Sequence, residues 1–289
     1  MFSLKQRIKN ILEVYKNFGL EYVIVHLNRF FLKRLSLFDL SENYVIASRF
    51  YNLLKDEKAL NELKNFKSEN IEDIYYFAKY FYSGLIRPYQ ADCEFLKLLE
   101  IYKNLKPKRV LEIGTFVGGT LFCFTKLAQD DAIIISIDLP FGKVFNASIN
   151  QNIGNTKIDI YITKVFEHFI FGNQRLYLLR QSSNDENTVQ KLKRVLGNNK
   201  LDFIFIDGDH SYDAVKKDFE LYYQFIDEGG VIAFHDISEY MQKTVGDLSK
   251  LGVHKFWNEL KSSKEKYNFK EYQEILASNY SFGIGIIYF

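Results

Sequence analysis

Apolar and polar positions along this chain follow two different periods. Over roughly the first 105 residues the apolar positions recur every three or four residues, the period of helices. Leu12, Tyr15, Phe18 and the run Leu20 to Val25 begin the pattern. His26, Arg29, Lys33 and Arg34 then interrupt Phe30, Phe31 and Leu32. Asp56 to Glu72 is polar and predicts a short helix and a connection. Ile71 to Tyr82 is aromatic and helix-like, and Arg87-Pro88-Tyr89-Gln90 breaks the period. Asp92 to Asn104 predicts a helix that buries Phe95, Leu96, Leu98, Leu99 and Tyr102 and ends before Pro107.

Beyond Pro107 the pattern changes to short apolar runs alternating with helical stretches. Strands are predicted at Arg109 to Ile113, Ala132 to Ile137, Arg175 to Arg180, Leu201 to Ile206 and Val231 to Phe234. Two closing strands are predicted at Tyr272 to Ala277 and Phe282 to Phe289. Helices are predicted at Thr120 to Gln129, Asn187 to Leu196, Ser211 to Ile226 and His254 to Lys261. The pattern names no element between Asp138 and Arg175. Such alternation implies an α/β fold, a doubly wound sheet with helices on both faces. The chain then divides into an N-terminal helical region, residues 1–105, and a sheet domain, residues 106–289. The helical region would serve as a cap or in oligomerisation.

The most informative stretch is Lys108 to Thr120, K-R-V-L-E-I-G-T-F-V-G-G-T. Strand, glycine turn and helix follow one another, which lets a ligand sit at a helix N-terminus. The spacing of Gly114, Gly118 and Gly119 fails the G-x-G-x-x-G of a dinucleotide site. Glu112 at the strand end argues for a ligand that is not strongly anionic. Asp138 follows Gly114 by 24 residues, at a strand end where a carboxylate can accept both ribose hydroxyls.

A second cluster ends two other strands. Leu201 to Ile206 runs into Asp207-Gly208-Asp209-His210, and Val231 to Phe234 runs into His235-Asp236. Carboxylates gathered without Lys or Arg repel unless a cation or proton is shared. A hard divalent cation such as Mg²⁺ relieves that repulsion. An imidazole at 235 suits Mn²⁺ or a transition metal better.

Composition narrows the picture further. Aromatic residues make up 17% of the 289 residues, with 27 Phe and 20 Tyr, so the core is ring-rich. A net charge of +2 does not suggest a nucleic-acid binder. Cys93 and Cys123 form no metal or disulfide framework and fit a reducing, cytoplasmic setting. No signal-peptide pattern or membrane-length apolar run is present. Residues 1–40 carry Lys or Arg at 5, 7, 9, 16, 29, 33 and 34, against acids at 13, 21 and 39. That basic, aromatic stretch can pack on its own domain, on a second subunit of a homo-oligomer, or peripherally on a membrane surface.

The E-x-G-x-x-x-G of Glu112, Gly114 and Gly118 resembles motif I of class I S-adenosylmethionine-dependent methyltransferases. D-G-D-H resembles the fourth-strand motif of metal-dependent sugar and macrolide O-methyltransferases and of the cephalosporin-hydroxylase-like branch. The resemblance covers about Arg87 to Phe289. It implies a seven-stranded Rossmann-like sheet closed by an antiparallel hairpin. It implies S-adenosylmethionine held by Glu112, Gly114, Thr115, Gly118, Gly119, Asp138, Ser182, Ser183 and Asp207. Asp207 and Asp236 would bind Mg²⁺ or Mn²⁺ with His235, and His210 or Asp209 would be the base. His254 and Trp257 would touch the acceptor. The implied reaction is methyl transfer to a hydroxyl of a sugar, glycan or related small molecule. A metal-free methyltransferase, hydroxylase-type chemistry on a related fold and a non-catalytic binding role are the alternatives.

Overall fold

The computed structural model describes residues 38–140, 157–239, 252–277 and 281–289. The basic stretch read at the N-terminus therefore lies, up to residue 37, outside the described residues. Four helices come first: α1 (Phe38–Lys55), α2 (Glu57–Asn65), α3 (Ile71–Gly84) and α4 (Asp92–Leu105). Polar residues start two of them. The Asp56 carboxylate accepts the Ala59 amide at 3.0 Å, and the Asn70 side chain accepts the Glu72 amide at 2.7 Å. Such caps satisfy amides that the first turn leaves unpaired.

The strands are β1 (Arg109–Ile113), β2 (Ile133–Asp138), β3 (Arg175–Arg180), β4 (Leu201–Ile206), β5 (Ile226–His235), β6 (Glu271–Ile275) and β7 (Ile284–Tyr288). Between them run α5 (Gly119–Leu127), α6 (Lys157–Phe166), α7 (Glu186–Leu196), α8 (Tyr212–Tyr222), α9 (Val253–Lys261) and α10 (Lys264–Tyr267). The sheet order is β3-β2-β1-β4-β5-β7-β6, with β7 antiparallel to both neighbours. The chain winds outward from β1 through β3, then returns to β4 on the other side of β1. In open α/β sheets ligands bind at such a reversal, beyond the carboxyl ends of the strands, here those of β1 and β4.

Strand alternation splits the core into two layers. Val110, Phe203 and Phe205 join the layer built with α3, α4 and α5, whereas Leu111, Ile113, Ile204 and Ile206 join the layer under α8 and α9. The aromatic content fills these layers. Tyr102 of α4 lies 4.8 Å from the rings of both Phe124 and Phe203, and its hydroxyl donates to the Phe124 carbonyl at 2.9 Å. Helix α4 thus shares one core with the sheet. Its fully buried Glu94 also accepts the amides of Ala277 (2.9 Å) and Gly283 (3.1 Å) beside the final hairpin.

The structure departs from the pattern in two places. Helix α6 fills part of the interval for which no element is expected, burying Ile162, Val165 and Phe166. The helix after Ser211 stops at Tyr222 and a 3₁₀ turn, Tyr223–Phe225, leads into β5. Gly229 and Gly230 lie inside that strand rather than before it, where its pairing with β4 slips between Leu201 and Phe203. Gly229 takes φ +81° there, so the glycines mark a bulge.

Candidate active site

The turn after β1 is clamped between its neighbours. The Gly114 amide donates to the Ile137 carbonyl at 2.9 Å, and the Asp207 amide donates to the Ile113 carbonyl at 2.8 Å. Gly114 has φ +94°, and a β-carbon there would lie 2.1 Å from the Asp207 carbonyl oxygen. Only glycine combines that dihedral with that approach. Gly118 caps α5 beside the Phe166 ring, and Gly119 lies under the Arg87–Pro88 backbone. A segment from the helical region therefore runs over the start of α5.

Glu112 is fully buried beneath this turn, receiving hydrogen bonds from the Thr120 hydroxyl and, at 3.1 Å, the Ser136 hydroxyl. The Thr115 hydroxyl is hydrogen-bonded to Ser136 in turn. Burial pushes the Glu112 carboxyl up to about 8, although the two hydroxyls pull it down. The buried site thus favours the protonated form more than solvent does. Burial therefore opposes the charge on which the expectation of a ligand that is not strongly anionic rests.

Asp138 anchors the same turn from β2. One oxygen accepts the amides of Thr115 (3.0 Å) and Phe116 (2.8 Å), and the other accepts the Leu139 amide (2.7 Å). Burial raises its carboxyl pKa, opposed by Arg180 3.8 Å away and by these three amides. Arg180 itself is fixed by Asp159 of α6 at 2.8 Å. Ser182 and Ser183 lie beyond β3. The Ser182 hydroxyl accepts the Asn184 amide at 3.3 Å, and the Ser183 carbonyl accepts the Tyr222 hydroxyl at 2.6 Å. Neither is brought to the glycine turn by a hydrogen bond.

The ends of β4 and β5 form a second centre that begins where Gly114 touches Asp207. His235 Nδ1 lies 3.0 Å from Asp207 Oδ1 and 3.2 Å from Asp236 Oδ1. His210 Nδ1 lies 2.5 Å from Asp236 Oδ2. Asp236 adopts φ +64°, a left-handed conformation that carries strain in a non-glycine residue. The His210 side chain is 39% exposed while that of Asp236 is 7% exposed, so His210 is the open edge of the pair. Burial lowers both histidine pKa values, yet the carboxylates of Asp236 and Asp207 raise each to about 9. Burial raises Asp236, but His235 and His210 bring it down to about 2. Each imidazole thus sits against a carboxylate that favours its protonated form.

Asp207, His210 and Asp236 can each bring a ligand atom within 4.8 Å of the others. Two carboxylate oxygens and one imidazole nitrogen fit Mn²⁺ or a borderline divalent metal. His235, expected as the third ligand, directs Nδ1 at both carboxylates, while its buried Nε2 has no hydrogen-bond partner among the described residues. Asp209, expected as a base, is exposed and accepts the Ser211 amide at 2.8 Å. Trp257, expected against an acceptor, lies in the core, 1% exposed, with Nε1 donating to Glu274 at 2.6 Å. Its ring has no face left for an acceptor. His254 is buried on the same helix.

Two site residues carry no motif in the sequence. Gln90 Nε2 donates to Asp207 Oδ2 at 2.6 Å, across 117 positions of chain. It sits in the Arg87-Pro88-Tyr89-Gln90 break, whose only signal was interrupted periodicity. Arg180 closes an apolar strand beside Asp138, and a cation at a strand end is its only cue.

Residues 111–237 match a family model described as a methyltransferase domain. An uncharacterized protein of Acanthamoeba polyphaga mimivirus is 32% identical over 130 residues, 45% of this chain and 52% of that protein. A Dictyostelium discoideum protein named probable caffeoyl-CoA O-methyltransferase 3 is 28% identical over 138 residues, 47% of each chain. The chain thus spans about half the length of these two relatives. Among solved structures, a Staphylococcus aureus protein assigned to the caffeoyl-CoA O-methyltransferases superposes with TM-score 0.52 at 15% identity, over 76% of this chain and 92% of that one. That likeness is one of fold.

Proposed function

We propose, from the match of residues 111–237 to a methyltransferase domain, that this chain moves a methyl group from S-adenosylmethionine to a hydroxyl oxygen. The acceptor we infer is a sugar, glycan or related small molecule. A divalent cation at Asp207 and Asp236 would assist. The observation that carries the reading is the contact between Gly114 and Asp207, which ties the turn that would hold the cofactor to the carboxylates that would face the acceptor.

In this reading the turn from Gly114 to Gly119 and the carboxylate of Asp138 hold the cofactor, with Ser182 and Ser183 toward its adenine. Asp207 and Asp236 hold the cation, which when bound would lower the pKa of an acceptor hydroxyl. His210 stands at the open edge to take the proton released as the oxygen attacks the methyl carbon. The C–S bond breaks as the O–C bond forms, leaving a neutral thioether. Its imidazole is held protonated only by the two carboxylates, so positive charge taken up by them frees it to accept a proton. Alignment of oxygen, carbon and sulfur supplies much of the remaining catalysis.

One observation favours the metal-free alternative. His210 and His235 each place Nδ1 against a carboxylate, where an imidazolium could stand in for a cation. The discriminating experiment is methyl transfer from labelled S-adenosylmethionine to a panel of sugars and phenols, in chelator and in added Mg²⁺ or Mn²⁺. Transfer that needs added metal supports the first reading. Equal transfer in chelator supports the second, and no transfer to any hydroxyl acceptor overturns both.

A further inference from the structure

We infer that Gln90 is a positioning residue that sets the Asp207 carboxylate, so that residues from the helical region complete the active site. The inference rests on the reading of Asp207 as a metal ligand. Both Asp207 oxygens are spoken for: Oδ1 faces His235 Nδ1 at 3.0 Å and Oδ2 accepts Gln90 Nε2 at 2.6 Å. Two contacts on different oxygens fix the plane of the carboxylate, and each leaves a lone pair for a ligand. Groups that hold a ligating carboxylate in this way tune its affinity for metal.

The placement of Gln90 is itself over-determined. Helix α3 ends in successive left-handed residues, Tyr82 (φ 49°), Ser83 (φ 57°) and Gly84 (φ 75°). Arg49 of α1 holds this kink, its guanidinium donating to the carbonyls of Tyr82 (2.7 Å) and Ser83 (2.8 Å). The segment that follows crosses Gly119 and ends at Gln90, immediately before α4. One turn further along, Glu94 is locked by the amides of Ala277 and Gly283. Strain of this kind persists where surrounding structure enforces it.

The amide also carries an unmet cost. Gln90 is 6% exposed, and its Oε1 has no hydrogen-bond partner among the described residues. A residue that only filled space would be apolar, because a buried unpaired acceptor is unfavourable. Turning the amide over would put Oε1 against Asp207 Oδ2, so the donor must face the carboxylate.

The test uses Gln90→Leu and Gln90→Glu in the full chain. Mn²⁺ binding is measured by electron paramagnetic resonance, and S-adenosylmethionine binding by calorimetry. Histidine-selective NMR in chelator reads the His235 Nδ1 environment. Gln90→Leu should weaken Mn²⁺ binding roughly 10–100-fold and shift the His235 resonance, with cofactor affinity and His168 unchanged. Gln90→Glu keeps the shape without the donor and should also shift His235. Unchanged His235 resonances in both folded variants overturn the inference. If the wild-type chain binds no Mn²⁺, the metal reading falls, while the metal-free NMR comparison still decides the role of Gln90. A wholesale change of the spectrum in Gln90→Leu would indicate misfolding, and Gln90→Glu then decides alone.

Discussion

Gly114 and Asp207 touch backbone to backbone: a β-carbon on the glycine would stand 2.1 Å from the aspartate carbonyl oxygen. The end of β1 and the end of β4 therefore form one rigid piece. Gly114→Ala must relieve both this overlap and a φ of +94°. The expected cost is at least ~2 kcal/mol, from the positive φ and the overpacking together. Urea unfolding reads that loss. Calorimetry should show cofactor and Mn²⁺ binding weakened together. Loss of cofactor binding with Mn²⁺ affinity intact would show that the two centres are independent.

Glu112 makes a pH prediction. Its carboxyl is raised from 4.5 to about 8 by burial, so the folded state keeps a proton that the unfolded chain releases. Stability from this group is fully present below about pH 4.5 and is lost as pH rises toward about 8. A shift of that size corresponds to a few kcal/mol in order of magnitude. Glu112→Gln cannot ionise and offers similar hydrogen bonds to Thr120 and Ser136. Its stability curve should be flatter across this window, with the variant overtaking wild type on the alkaline side. Parallel curves for the two proteins would place the titrating group elsewhere.

The contrast between Asp138 and Gln90 shows what a sequence makes legible. Asp138, Asp207 and Asp236 each follow a short run of branched or aromatic residues, so the strand ends announce them. Register does the rest: Ile113 pairs with both Ile137 and Ile206, bringing their successors to one rim. Gln90 follows no strand, and its meeting with Asp207 depends on a kink at Tyr82 to Gly84 held by Arg49 of another helix. Tertiary contacts of that kind leave no periodicity. Burial is equally silent in the sequence, which is why the upward push on the Glu112 carboxyl cannot be read there. The interval that holds α6 contains Gly142, Gly154 and scattered polar residues, and its helical period is too short to stand out.

Asp138 holds the glycine turn in this structure, so its removal has two consequences. Asp138→Ala should lower stability by freeing the amides of Thr115 and Phe116, and weaken cofactor binding by roughly 2–3 kcal/mol for charge-assisted bonds. A ligand variation separates the two. Wild type should prefer S-adenosylhomocysteine over its 2′-deoxy analogue, and Asp138→Asn should lose much of that preference. An undiminished preference in Asp138→Asn would mean that the carboxylate orders the turn without touching ribose.

His210 can serve as proton acceptor or as metal ligand, and these roles give different signatures. Its Nδ1 faces Asp236 at 2.5 Å, and its side chain is the exposed member of the pair. If it accepts the proton, His210→Ala should lower turnover about 10²–10⁴-fold while leaving Mn²⁺ affinity near wild type. If it ligates, the same variant should lose Mn²⁺ affinity and turnover together. Asp207→Ala and Asp236→Ala should lose both in either case, because the ion then has at most one carboxylate. Cofactor affinity is the control, since Asp138 and the glycine turn make no bond to His210. Measured on one set of variants by Mn²⁺ resonance, cofactor calorimetry and labelled methyl transfer, the pattern identifies the role. The proton-acceptor pattern is expected, because His210 faces solvent while His235 and Asp236 are sealed, and an acceptor hydroxyl must approach from the open side. Retention of full turnover in His210→Ala would remove it from the reaction altogether.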